Sequence, residues 1–394
     1  MSTVVAEVAV ACLVCGAPCG DPVYRHDGTA SITSTAQTVA RPTVVYVCER
    51  CGHVQTPPLD DAAEYYANGY GVHLESDRAD DLYAVRHGVP IYRAQHQANA
   101  ALAKLELPRG ASVLDFGCGK AMTLRALLAA RPDLDGAAFD VSDAYRDAWK
   151  AFIAPHNQAT YDMPPGWNGR FDAVLSFFAL EHAIDPRAFL TAIRRVLRPG
   201  GTLHLTVPNL RRNAGDFIVV DHVNHFMPSS LRRLFAATGF TNVRIDEEAH
   251  DAAFVVNARR SVGDLDGGPA VTERSVAAYV GEARRCAAYW SAAGDAVERF
   301  EREVARGRAA AIYGSGFYGV FIAGRLRNRM NVGYFLDRNP HQQAKRIFGL
   351  RVLPPEALGD QIDVVYLGLN PARAPAIAAG IEPLHRRPRD IFYL

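Results

Sequence analysis

From Ser112 onward the chain alternates short apolar runs with longer stretches whose apolar positions recur at helical spacing. "SVLDF" is followed by "TLRALLAARP", then by "GAAFD" and a polar helix, then by "FDAVLSFFAL", "PRAFLTAIRRVL" and "GTLHLTV". Such runs read as strands and the periodic segments as the helices that cover them, which predicts a parallel sheet built from βαβ units. The punctuation agrees. Asp185 before Pro186 predicts an N-cap and a first helical residue, and "RPGG" from Arg198 ends that helix. In "PSSLRRLFAATGF", Ser229 or Ser230 is the expected N-cap and Gly239 the stop, after which "NVRIDEE" and "AAFVVNAR" read as two closing strands. Past "GDLDGGPA", Thr272 opens a long helix with Val276, Tyr279, Val280, Ala283, Ala287 and Trp290 at helical spacing. "AAAIYGSGFYGVFIAGRL" is then a strand, a glycine loop and a helix, and "VGYFLD" and "DVVYLGL" add strands to a second, smaller α/β unit.

These patterns divide the chain into a cysteine module over 1–59, a helical linking segment over 60–111, an α/β domain over 112–260, and a long helix with its α/β unit over 270–394. A formal net charge of +1 offers no general electrostatic case for nucleic acid or an anionic membrane as partner. No apolar run approaches the roughly twenty residues of a membrane span. "MSTVVAEVAVACL" lacks the basic start of a signal peptide, so the expected location is cytoplasmic and the expected partner a small molecule.

Cys12 and Cys15 form one CxxC pair, Cys48 and Cys51 another. Two such knuckles supply four thiolates, the donor set of a tetrahedral Zn²⁺ site or of a metal with similar preferences. With every vertex filled by protein the metal is structural. It would stabilise a segment too short to bury much apolar surface by itself. The interval between the pairs must hold a small sheet, with "TVVYV" before Cys48 as one strand; Cys19 and His26 are possible substitute ligands.

In "VLDFGCGKAMTL" a strand ending at Asp115 and Phe116 turns through Gly117, Cys118 and Gly119 into a helix, which brings backbone close to a ligand. Asp140 ends the next strand about twenty residues later, where a carboxylate can hydrogen-bond ribose hydroxyls. The third glycine of a dinucleotide fingerprint is missing, which suits a nucleoside without phosphates. With "FDAVLSFFALEHAIDP" and "VLRPGGTLHLTVPN", this region resembles the class I S-adenosylmethionine (SAM) dependent methyltransferases. The resemblance covers about Ser112 to Arg260 and implies a seven-stranded Rossmann-like sheet with SAM across the carboxyl ends of its first strands. It implies that Asp115, Gly117 and Gly119 contact the methionine portion and that Asp140 contacts the ribose. Asp162 and Met163 would lie beside adenine, and Phe178 to Leu180 would line the methyl donor.

Methyl transfer is an in-line displacement that mostly needs positioning, but a hydroxyl or acidic C–H acceptor also needs a base. The candidates are His182 in "ALEHAIDP" and Asp221, His222 and His225 in "VVDHVNHFM", with His222 paired to Asp221 as first choice. Zinc module, SAM domain and C-terminal Rossmann-like unit, in this order, resemble the deoxysugar C-methyltransferases that act on nucleotide-linked 4-keto sugars. That resemblance implies a sugar acceptor surrounded by tyrosines of "EYYANGY" (Tyr65, Tyr66, Tyr70), by His182, and by Asp221, His222 and Phe226. His225 stands where that family usually has tyrosine, Asp221 replaces glutamate, and Val219 occupies an expected tyrosine position, so both C- and O-methylation stay open. "GSGFYG", with Asp337 about twenty residues on, is a full GxGxxG. It suggests either a hold on the substrate's nucleotide or, alternatively, a nicotinamide-dependent oxidoreductase. A catalytically silent binding protein is the remaining alternative, against which the Asp115, Gly117, Gly119 and Asp140 set speaks.

Overall fold

The computed structural model describes residues 10–28, 30–66, 80, 82–86, 88–263 and 272–394. They form two compact units, and neither is contiguous in sequence. One comprises Met1–Gly20, Val47–Asn213 and Val223–Val280; the other comprises Asp21–Tyr46, Ala214–His222 and Gly281–Leu394. The division expected from chain order is therefore crossed twice. The interval between the cysteine pairs does hold strands, Tyr24–His26 pairing antiparallel with Thr43–Val47. Its fixing bonds, however, run to distant sequence: Val220 N–H donates to the Ile32 carbonyl at 2.9 Å, and Arg325 donates to the Tyr24 hydroxyl at 2.8 Å.

The first unit is built on seven strands: β1 (Ser112–Phe116), β2 (Asp135–Asp140), β3 (Gln158–Thr160), β4 (Phe171–Phe177), β5 (Leu197–Pro208), β6 (Phe240–Asp246) and β7 (Ala253–Arg260). Their order is β3-β2-β1-β4-β5-β7-β6, parallel except for β7, which runs antiparallel to both its neighbours. β1 is an interior strand between β2 and β4, with Asp115 in register with Ala138 of β2 and Leu175 of β4. Because β1, β2 and β4 are parallel, the loops after Phe116, Asp140 and Phe177 emerge at one edge, where doubly wound sheets bind ligands.

Small residues let helices sit close to this sheet. Ala98 and Ala101 of α1 (Arg93–Lys104) and Leu124 and Leu127 of α2 (Met122–Ala130) share a core with Val113, Ala138, Ala173 and Leu175. α3 (Pro186–Val196) opens as expected: the Asp185 carboxylate accepts the N–H groups of Arg187 and Ala188 at 3.0 and 2.9 Å. α4 (Pro228–Ala237) starts earlier than expected, with Met227 as N-cap. Ser230 acts from inside the first turn, its hydroxyl accepting the Met227 N–H at 3.0 Å, so Pro228 takes the first helical position that its fixed φ favours.

The long helix α5 (Glu273–Phe300) contributes residues to both units. In the second unit, strands β8 (Ala310–Tyr313), β9 (Val332–Leu336), β10 (Arg346–Ile347), β11 (Leu350–Leu353), β12 (Val364–Leu367) and β13 (Asp390–Tyr393) are ordered β10-β11-β9-β8-β12-β13. Only the β10–β11 pair is antiparallel. α6 (Phe317–Arg325) follows β8 through the glycine loop, and the buried Trp290 of α5 meets Phe321 of α6 edge-on at 4.7 Å. No described helix is long and apolar enough to cross a membrane.

Candidate active site

The loop after β1 is shaped by positive φ angles at Gly117, Gly119 and Ala121 (71°, 50° and 53°). At Gly117 a side chain is also sterically excluded, since a Cβ would stand 2.8 Å from that of Ala179. The Gly117 and Cys118 N–H groups donate to the Phe139 carbonyl, and the buried Trp149 indole donates to the Gly119 carbonyl at 2.7 Å. This loop is therefore held from β2 and from the helix that follows it.

Two carboxylates stand beneath it. Asp115 is 2% exposed, and its Oδ1 has no hydrogen-bond partner. Burial, reinforced by the nearby Asp140 charge, pushes its carboxyl up to about 7. Asp140 is also buried, and burial raises its pKa against the backbone bonds it accepts. Its Oδ2 takes the Gly119 N–H at 2.7 Å and its Oδ1 the Ser142 N–H at 3.1 Å. An ionised carboxylate has about four lone-pair sites, so each oxygen retains capacity for a hydroxyl. These acceptors fit a ligand that brings a cationic or N–H group to Asp115 and hydroxyls to Asp140.

The remaining predicted cofactor contacts lie on the neighbouring loops. Asp162 is exposed and Met163 buried, just after β3, where Tyr161 has φ 63°. Phe178 adopts φ 54° at the end of β4, with the Arg93 guanidinium 4.6 Å from its ring centroid, and Leu180 is 1% exposed. Arg93 is a neighbour that the sequence pattern did not single out.

The candidate bases take different partners. His182, on the short 3-10 turn Leu180–His182, has its Nδ1 3.1 Å from the Tyr66 hydroxyl. Tyr66 therefore belongs beside the histidine, while Tyr70 lies outside the described residues. His225 is 1% exposed with Nε2 3.0 Å from the Thr56 hydroxyl, where residues 224–225 pair with Val54–Gln55. This places it in the packing of the cysteine segment. His53 is an interior neighbour there as well, its Nε2 3.2 Å from Asn224 Oδ1 and its pKa pushed down to about 3 by burial.

In the second unit the expected pairing of His222 with Asp221 is not formed. The two oxygens of Asp221 accept the Ser34 N–H and hydroxyl, each at 2.7 Å. The carboxylate at His222 is Asp216, with Oδ1 2.5 Å from Nδ1. Adjacent residues on an irregular segment point apart, and a side chain six positions away returns; no periodicity in "DFIVVDH" signals that return.

The four cysteines do converge. The Sγ atoms of Cys12 and Cys51 are 3.6 Å apart and those of Cys15 and Cys48 3.5 Å, with all four within 4.8 Å of one another. A tetrahedron of Zn–S bonds near 2.3 Å has edges of about 3.8 Å, so the set fits a single ion. The C-terminal glycine loop shows a different kind of closure. Asp337 Oδ2 accepts the Ser315 N–H and hydroxyl at 2.8 and 2.6 Å, and its Oδ1 accepts the Asn339 N–H at 2.8 Å. A Cβ on Gly319 would lie 1.9 Å from the Gly314 carbonyl oxygen, so close packing alone requires glycine there.

Residues 85–245 match the family described as methyltransferase domain. Among curated proteins, the chain is 30% identical over 140 residues to the biotin biosynthesis bifunctional protein BioCD of Bordetella avium (strain 197N), covering 34% of this chain and 30% of that protein. It is 35% identical over 114 residues to the ubiquinone biosynthesis O-methyltransferase of Xanthomonas campestris pv. campestris (strain B100), covering 27% of this chain and 46% of the relative. The chain thus spans less than half the length of these relatives. Among solved structures, an O-methyltransferase family protein from Burkholderia thailandensis is 16% identical, covering 43% of this chain and 57% of that one, with a TM-score of 0.36.

Proposed function

With residues 85–245 a methyltransferase domain, we propose that the protein transfers a methyl group from SAM to a sugar, nucleotide-linked in its substrate form. The observation that carries the reading is Asp115: a buried carboxylate with an unpartnered oxygen, at the carboxyl end of β1 and under a glycine loop. Asp115, Gly117 and Gly119 would hold the methionine portion and Asp140 the ribose. Asp162 and Met163 would flank the adenine, and Phe178 and Leu180 would line the reacting end. When bound, the group supplies an electrophilic methyl on a sulfonium.

The chain's own residues hold the reactants and manage a proton. His182 is one base, with Tyr66 on its Nδ1 side orienting the ring. His222, held by Asp216, is the alternative base. The base removes the proton from an acceptor hydroxyl, or from a carbon beside a ketone, as the new bond to methyl forms. The four thiolates would hold a structural zinc ion, which with every vertex filled by protein would take no part in the chemistry. The sugar acceptor rests on the resemblance in sequence, and the glycine loop after β8 is the proposed hold on its nucleotide.

Calorimetric titration with SAM, then with a panel of nucleotide-linked sugars in the presence of S-adenosylhomocysteine, tests the reading. Binding of SAM and of one sugar nucleotide is expected, with a methylated product by mass spectrometry. NAD binding without SAM binding would reject it.

A further inference from the structure

Two carboxylates stand near His222 in sequence, and only one reaches it. We infer that Asp216 is the positioning residue of His222, fixing the imidazole as the tautomer that carries its proton on Nδ1 and keeps Nε2 as the proton-accepting nitrogen. This rests on the proposed role of His222 as a base.

The geometry is specific. Asp216 is 2% exposed and lies on the 3-10 turn Ala214–Ile218. Its Oδ1 is 2.5 Å from His222 Nδ1, a short contact of the charge-assisted kind. An ionised carboxylate only accepts, so the shared proton belongs to Nδ1 and the lone pair of the neutral ring to Nε2. Asp221 cannot serve in its place while both its oxygens hold Ser34.

The turn that carries Asp216 is braced on several sides within the second unit. The Trp290 indole of α5 donates to the Ala214 carbonyl at 2.7 Å, and the fully buried Phe217 packs edge-on against Tyr24 at 5.9 Å. Val219 N–H returns to the Asp216 carbonyl at 3.1 Å, and Val220 N–H is held by Ile32. The negative charge of Asp216 is felt by its surroundings: with burial as the larger cause, it pushes the Cys286 thiol up to about 12. A carboxylate so fixed orients a histidine and raises its basicity, whereas a mobile surface carboxylate does neither well.

The test compares Asp216→Asn with wild type, both carrying nitrogen-15-labelled histidine, with the His222 signals identified by their loss in His222→Gln. In wild type at neutral pH, Nδ1 should be the protonated nitrogen. In Asp216→Asn the amide can donate to Nδ1, so the proton should move to Nε2. The expected kinetic result is a kcat lower by about 10²- to 10⁴-fold with little change in KM for SAM, and an acidic limb of the pH profile displaced to lower pH. Nitrogen shifts and an acidic limb unchanged in Asp216→Asn would overturn the inference. A switched tautomer in a variant that turns over at the wild-type rate would overturn it too. If the wild-type protein methylates no sugar nucleotide, the function on which the inference rests fails, and the nitrogen shifts still decide the pairing.

Discussion

Replacing Asp115 by asparagine should make the ligand-free protein more stable and its SAM affinity lower. In the folded chain burial and Asp140 raise the Asp115 carboxyl from 3.8 to about 7. Each unit is worth about 1.4 kcal/mol, so keeping this group ionised near pH 8 costs the fold about 4 kcal/mol relative to the unfolded chain. The sign follows from the direction of the shift. The folded pKa is raised, so the group's favourable contribution is complete below about pH 3.8 and is lost as pH rises through about 7. Asparagine has nothing to ionise, so the stability of Asp115→Asn relative to wild type should grow by about 3 kcal/mol between pH 5 and pH 8. The two units need not unfold together, so the suitable assay is hydrogen exchange of the β1 and β4 amides under denaturant at both pH values. Calorimetry on the same variant should show SAM binding weakened by about 10- to 100-fold, the worth of a hydrogen bond to a charged group. A relative stability that does not change with pH would refute the burial argument, and unchanged SAM affinity would remove Asp115 from the cofactor pocket.

Elemental analysis should find zinc in the wild-type protein and none in Cys48→Ser, whose cysteine segment should be destabilised by several kcal/mol; a metal-free wild type that resists chelators would reject the site. Gly319→Ala forces a Cβ to 1.9 Å from the Gly314 oxygen, so the C-terminal sheet should lose about 3 kcal/mol in denaturant unfolding while SAM affinity is unchanged. If that variant keeps its stability and loses only nucleotide-sugar binding, the glycine serves the ligand and not the packing.

Local pattern carried much of this protein. The alternation of apolar runs and helical segments from Ser112 identifies each strand of the seven-stranded sheet apart from the short β3, because strand and helix periodicities are properties of neighbouring residues. The Asp185 cap was legible for the same reason, and so was the cysteine quartet, since each CxxC turn already sets two thiols side by side. What tertiary structure decided is which distant groups meet. Asp221 is taken by Ser34, 187 positions away, and that leaves Asp216 for His222. Asp21–Tyr46 leaves the cysteine segment to join the C-terminal unit, and among the described residues Tyr66 reaches His182. Such pairings depend on how irregular segments pack across the fold and on which buried polar groups find partners, and neither has a period along the chain.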